Sequence, residues 1–318
     1  MDKRERVTAV FTGGGADHVP VCMWKHVPQR FWADFDAFAE CQAAFYRATD
    51  VDFMKLSGDG FFGWPSPVLS PGMRAADLYK AEPLGPGHPY IRDQVARTRA
   101  VVKALGRECV TLYLVFAPLS AVRLAVGYPA MMRLMREDPR AMMHACAAAA
   151  EDQKALVTGI LEEAGADGIF YSVQNGERDR FTLEEYRAFV TPSDKAVLDH
   201  ANGLSKMNAI HFCAWEGVPN RLENWADYRA PVVSWSRYMD IMDITGAQRH
   251  FGCTVWGGFD NRPGTDLYTL DRAEIERTCA AFIARGGKSR YILGADCSLH
   301  DGLPEERIRW AVEAARRV

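Results

Sequence analysis

Lys206-Met207-Asn208-Ala209-Ile210-His211-Phe212-Cys213 is the stretch on which the reading of this chain turns. It is a short run of strand length that ends in an imidazole and a thiol spaced i, i+2. A second run, Arg290-Tyr291-Ile292-Leu293, leads through Gly294-Ala295-Asp296 to Cys297. His-x-Cys alone is a weak pattern, and the plainer reading is three ordinary half-buried side chains. The sharper reading needs a fold that brings the two strand ends together.

The rest of the chain supplies one. Six further short apolar runs occur at 19–24, 53–56, 110–115, 168–173, 231–235 and 254–258. Helical stretches separate them, at 32–48, 92–106, 118–126, 129–135, 183–190, 192–204, 239–250 and 271–285, among others. Their ends carry explicit signals. Asp138 caps a helix with Pro139 at its first position and a reach to about Glu163, Thr182 with Glu185 forms a capping box, and Thr269 or Asp271 caps the helix at 271–285. Gly13-Gly14-Gly15 stops the first helix, since no Gly-Lys-Ser/Thr follows it. The connection at 61–90 is long, rich in Pro, Gly and aromatics, and holds at most a short helix near 74–81.

Eight strands alternating with helices predict an α/β fold of the (β/α)8 TIM-barrel type. With no linker or composition shift, residues 1–318 form one domain in this reading. A doubly wound open sheet is the alternative, weakened by the lack of a glycine-rich fingerprint after the first strand.

The totals exclude several classes of function. Lys and Arg number 38 against 41 Asp and Glu, a formal charge of -3, which gives no footprint for nucleic acid. No apolar run approaches the roughly 20 residues that span a bilayer, and the start, Met1-Asp2-Lys3-Arg4-Glu5-Arg6, is too charged for a secretory signal. The eight cysteines are scattered, without Cys-x-x-Cys, as expected of reduced thiols in a cytoplasmic protein.

A barrel opens all its C-terminal strand ends at one mouth. That mouth would collect Lys25, His26, Asp59, Ser172, Gln174, His211, Cys213, Trp235, Asp260 and Cys297. His211, Cys213 and Cys297 offer one imidazole and two thiols, a donor set that suits zinc and leaves its fourth position open. Glu216 could fill that position until a thiol displaced it. A sulfur-rich zinc shell suits attack by a bound thiolate on an alkyl group better than activation of water. Asp59 and Asp260 are the candidates for acid and base work. Lys25, His26 and Arg30 could receive an anionic group, Gln174 and Asn175 an amide or carboxylate, and Trp235 could wall the mouth. Turn, cap and core roles remain open for each.

Four stretches taken in order resemble the uroporphyrinogen decarboxylase superfamily: Asp17-His18-Val19-Pro20-Val21, Phe116-Ala117-Pro118-Leu119-Ser120, Gly165-Ala166-Asp167-Gly168-Ile169-Phe170, and Ile292-Leu293-Gly294 with Pro304-Glu305-Glu306. The resemblance implies a (β/α)8 barrel. Its decarboxylases carry Met-Arg-Gln-Ala-Gly-Arg-Tyr after the first strand, whose arginines grip a polycarboxylate. This chain has Trp24-Lys25-His26-Val27-Pro28-Gln29-Arg30-Phe31, which keeps only Arg30. Where they have Gly-His-Gly after the last strand, it has Gly294-Ala295-Asp296-Cys297.

The methyltransferase branch is the better match, because it binds zinc through His-x-Cys and a distant Cys. That similarity implies a zinc-dependent methyl- or alkyltransferase that activates a small thiol, with the methyl group drawn from a corrinoid on a partner protein or from another donor. The alternative is a metal-free decarboxylase or lyase acting on a small carboxylate through Asp59, Lys25 and Arg30.

Overall fold

The structure is a computed structural model that describes residues 1–214 and 217–318. Its centre is one all-parallel sheet of seven strands, hydrogen-bonded in sequence order: β1 (Phe53–Leu56), β2 (Val110–Phe116), β3 (Gly168–Val173), β4 (Ala209–Phe212), β5 (Val232–Trp235), β6 (Thr254–Phe259) and β7 (Tyr291–Ala295). Helices make the crossovers between parallel neighbours, except from β4 to β5, where a short 3-10 turn stands in place of one. The strands are buried on both faces, which explains why they read as continuous apolar runs and not as alternating ones. The sheet is curled, and the fold is TIM-barrel-like.

The run at 19–24 does not form a regular strand. Val21 makes a parallel bridge to Leu293, and Lys25 makes one to Leu299. The backbone N–H of Cys22 donates to Leu293 O at 3.0 Å, that of Leu293 to Pro20 O at 2.9 Å, and that of Asp52 to Val21 O at 2.9 Å. This extended segment therefore bonds towards both β7 and the entry to β1. Pro20 has no N–H to give, so a continuous ladder cannot form across it.

Alternation divides the side chains of the strands. One face packs inside the curl, where Phe53, Leu112, Phe170, Ala209, Trp256 and Ile292 cluster with Trp24. The other face, with Met54, Tyr171, Ile210 and Trp235, joins the larger core under the helices.

Several helix boundaries follow the caps. Asp138 Oδ1 accepts from Arg140 N and Ala141 N and starts Pro139–Thr158, which ends in a π-turn over Gly159–Glu163. Thr182 and Asp271 both form capping boxes, for Leu183–Phe189 and Arg272–Gly286. Asp34 caps Phe35–Thr49 and so moves the start expected at residue 32. The stretch at 218–228 holds only a 3-10 turn at Leu222–Trp225, and Asp266–Thr269 is a short helix without an expected counterpart. The long connection after β1 is fastened to helix Pro139–Thr158 by one carboxylate. Asp152, 1% exposed, accepts from Trp64 Nε1 at 2.7 Å and from the N–H groups of Leu84 and Gly85 at 2.9 Å each.

Candidate metal centre

Parallel register builds the centre. Ser172 on β3, His211 on β4 and Ser234 on β5 are Cα partners in one row across the sheet. The backbone N–H of Cys213 donates to Val173 O at 3.1 Å, so the chain stays in line for one more residue past β4. Cys297 follows β7, and its Sγ lies 3.9 Å from that of Cys213. One ligand atom from each of His211, Cys213 and Cys297 falls within 4.8 Å of the others.

The polar atoms of this cluster are arranged for a ligand. His211 is 2% exposed, and its Nδ1 is 3.0 Å from Ser234 Oγ. Its Nε2 is buried and has no hydrogen-bond partner. A buried unpaired ring nitrogen is costly, and here it sits beside two thiols. The Cys297 thiol is held well below its ordinary value first by its hydrogen bond with Cys213; burial opposes this, and the His211 ring supports it. Cys213 is pushed up, first by that same hydrogen bond and then by burial. Metal binding would deprotonate both thiols. Donor types, spacing and the unpaired nitrogen all fit zinc with three protein ligands. Glu216, expected as a fourth ligand, lies outside the described residues.

Aromatic rings form the floor. Phe170 stacks on the His211 ring at 5.1 Å, and Trp24 meets it edge-on at 6.2 Å. Between these rings stands a residue that sequence reading passed over. Lys55 is 4% exposed, with Nζ 5.6 Å from the Trp24 ring and 5.7 Å from that of Phe170. Burial pushes its ammonium below the ordinary value, and the charges of Asp59, Cys297, Cys22 and Cys213 offset part of the shift. The signal available in sequence was a lysine inside the apolar run Phe53-Met54-Lys55-Leu56. Ser234 was also missed, because register across strands is not written in either strand alone.

The other candidates occupy distinct places. Asp59 is fully buried; its Oδ1 lies 2.6 Å from His26 Nδ1, and its Oδ2 accepts from Val27 N at 2.6 Å. Burial raises its carboxyl, but His26, Ser57 and the Val27 amide together hold it below the usual value. The Lys25 ammonium donates to Asp301 O, Leu303 O and Glu305. Arg30 is exposed, its guanidinium over the Phe31 ring. Lys25 and His26 border a largely apolar cavity of about 560 Å³ together with Trp24, Phe31, Phe45 and Lys55.

Gln174 accepts from Arg123, and its side chain opposes part of the rise at the Cys213 thiol. Asn175, in the left-handed region at φ 67°, turns the chain after β3 and donates to Ser120 Oγ at 3.4 Å. Asp260 is bound by Arg262, and its carbonyl accepts from Thr265. Trp235 is buried in the outer core, where its Nε1 donates to Met242 O. The metal cluster thus gathers His211, Cys213 and Cys297, with Gln174 in contact and His26–Asp59 as a separate pair.

The uroporphyrinogen decarboxylase (URO-D) family profile matches residues 63–318. The chain belongs to that family. Among solved structures, this family member is similar to a methyltransferase from Methanosarcina mazei, at 15% identity and a TM-score of 0.75, covering 100% of this chain and 99% of that one. A putative vitamin-B12 independent methionine synthase from Listeria monocytogenes is 12% identical with a TM-score of 0.58, over 97% and 98% of the two chains. An Old Yellow Enzyme from Pichia sp. is 10% identical with a TM-score of 0.50, over 86% and 78%. At these identities the likeness is one of fold. No curated protein matches the URO-D family chain by sequence.

Proposed function

We propose that this URO-D family member is a zinc-dependent methyl- or alkyltransferase that activates a thiol acceptor. The observation that carries the reading is the buried, unpaired Nε2 of His211 beside the thiols of Cys213 and Cys297. Bound by these three, zinc would ionise a thiol at neutral pH and offer it the fourth coordination position. Ser234 Oγ can accept from Nδ1–H of His211, the tautomer that leaves Nε2 to the metal. Phe170 and Trp24 hold the imidazole plane and exclude water from beneath it. Gln174 eases ionisation of Cys213. At the rim, Asp59 grips His26 at Nδ1, so Nε2 of that half-exposed ring is the atom that can pass a proton to solvent.

The methyl donor in this reading is a corrinoid on a partner protein or a small alkyl donor. The fold likenesses to a methyltransferase and to a vitamin-B12 independent methionine synthase are in keeping with either. The reading includes a single (β/α)8 domain over 1–318 and a reducing cytoplasmic setting. Eight free thiols support that setting, and among the described residues no helix is long and apolar enough to cross a membrane. The alternative, a metal-free decarboxylase using Asp59, Lys25 and Arg30, has less support because Lys25 is committed to Glu305 and two carbonyls.

Metal analysis of protein purified without chelator tests the proposal. We expect one zinc per chain in the wild type, its loss in Cys213→Ser and Cys297→Ser, and transfer of methyl from methylcobalamin to a small thiol only by the zinc form. Wild-type protein without stoichiometric zinc would sink the reading.

A further inference from the structure

A buried lysine needs a reason. Lys55 lies on β1 two residues after Phe53, and alternation puts it on the same inner face, one layer nearer the mouth. It is 4% exposed, and its ammonium makes no hydrogen bond or ion pair with any described residue. Its ammonium stands over the faces of Trp24 and Phe170, which offset a fraction of the lost hydration, and the carboxylate whose charge acts on it most, Asp59, is already engaged by His26 and the Val27 amide. Two other basic groups near the barrel mouth are paired with carboxylates, Lys25 with Glu305 and Arg262 with Asp260. Lys55 is thus an unpaired cation one aromatic ring away from His211.

Charge counting at the metal centre supplies the reason; it rests on the function proposed above. A divalent zinc ion, two cysteine thiolates and a neutral imidazole sum to zero. The resident centre therefore needs no counter-ion. A thiol acceptor changes the sum: its S–H bond breaks, the electron pair stays on sulfur, the proton goes to solvent, and the centre gains one negative charge. That charge arrives over an aromatic floor that cannot solvate it. We propose that Lys55 is the counter-charge for the acceptor's sulfur, holding the ionised thiol in the barrel by electrostatic attraction. Lys55 recognises the thiolate itself, whatever the rest of the acceptor carries. It is a binding determinant for the acceptor and not a ligand of the metal.

The test uses the zinc-loaded protein and two thiols of similar size, uncharged 2-mercaptoethanol and anionic 3-mercaptopropionate. Their binding is followed by titration calorimetry, zinc by elemental analysis, and the fold by circular dichroism. Lys55→Met removes the charge at nearly constant length, and Lys55→Gln is a second neutral variant. Both variants should keep one zinc per chain and bind both thiols on the order of 10- to 100-fold more weakly, the effect of one unit charge at short range in a protein dielectric.

Unchanged affinity in folded, zinc-loaded variants overturns the inference. So does a loss confined to 3-mercaptopropionate, which would assign Lys55 to the tail of the acceptor, or a loss of zinc from both folded variants, which would assign it to the resident ligands. A wild type that holds zinc but binds neither thiol overturns the acceptor role and leaves the metal centre standing. A wild type without zinc brings down the proposed function and this inference together.

Discussion

Ser234→Ala is the most exacting perturbation of the metal centre, because it removes one oxygen and no ligand. Ser234 is fully buried, and its Oγ is 3.0 Å from His211 Nδ1. In the wild type that contact holds the ring with Nε2 aimed at the two thiols. In the variant, Nδ1 loses its partner inside the core. The metal-free ring can recover some of the loss by changing tautomer or turning; binding zinc would require that recovery to be undone. The difference is about one buried hydrogen bond, about 1–2 kcal/mol, which is a 5- to 30-fold weaker zinc site and overlaps the range for outer partners of metal-bound histidines. Competition against a chromophoric chelator at pH 7 measures it directly, with thermal melting as the check on the fold. Zinc affinity within twofold of the wild type, at unchanged melting, would refute the argument. It would mean that packing between Phe170 and Trp24 alone orients the ring.

Three further outcomes are expected. A chelator should lower the melting temperature of wild-type protein and leave that of Cys297→Ser unchanged, because only the former holds metal; equal shifts in both would count against the triad. Asp152→Ala should destabilise by about 2–4 kcal/mol, since three donors lose one buried acceptor, and a denaturation midpoint equal to that of the wild type would show that the connection after β1 is held by other contacts.

Asp194 is buried among Tyr186 and Tyr228, and burial pushes its carboxyl up to about 7. A raised carboxyl favours the fold below its unfolded value near 4, and that advantage is lost as pH rises through about 7. The shift of about three pH units corresponds to about 4 kcal/mol. Urea midpoints should therefore fall from pH 5 to pH 8 in the wild type and much less in Asp194→Asn; parallel profiles would contradict the assignment.

How much of this could be read from sequence varied with the kind of information needed. Caps are local, and Asp138, Thr182 and Asp271 mark their helices in the structure as they do in the sequence. The pairing of His211 and Cys213 with Cys297 was legible because a barrel places strand ends at one mouth, and the three ligand atoms do converge. The strand at 19–24 was over-read: its apolar residues are buried, but Pro20 interrupts the ladder, leaving isolated bridges. Ser234 and Lys55 escaped for opposite reasons. The role of Ser234 depends on register with β4, a relation between strands. Lys55 was visible as a charge in an apolar run, but which face it occupies matters only once His211, Cys213 and Cys297 are seen to converge on the inner side. Lys25 looked like an anion receptor from its position, yet three acceptors at the start of the last helix already hold it.

The missing donor at Pro20 sets an order in which the ring can loosen. The sector from β3 to β5 is stitched by full parallel ladders, whereas β7 meets the chain's beginning through a few separate bonds. Local opening starts where such bonds are fewest, at the junction between β7 and the chain's beginning, and Cys297 follows β7. His211 and Cys213 stand at the end of β4, in the firm part. An ion shared by the three residues would tie the strand at that junction to the end of β4, across 84 positions of chain between the two thiols. Filling the centre and closing the ring would then become one equilibrium, each a measure of the other.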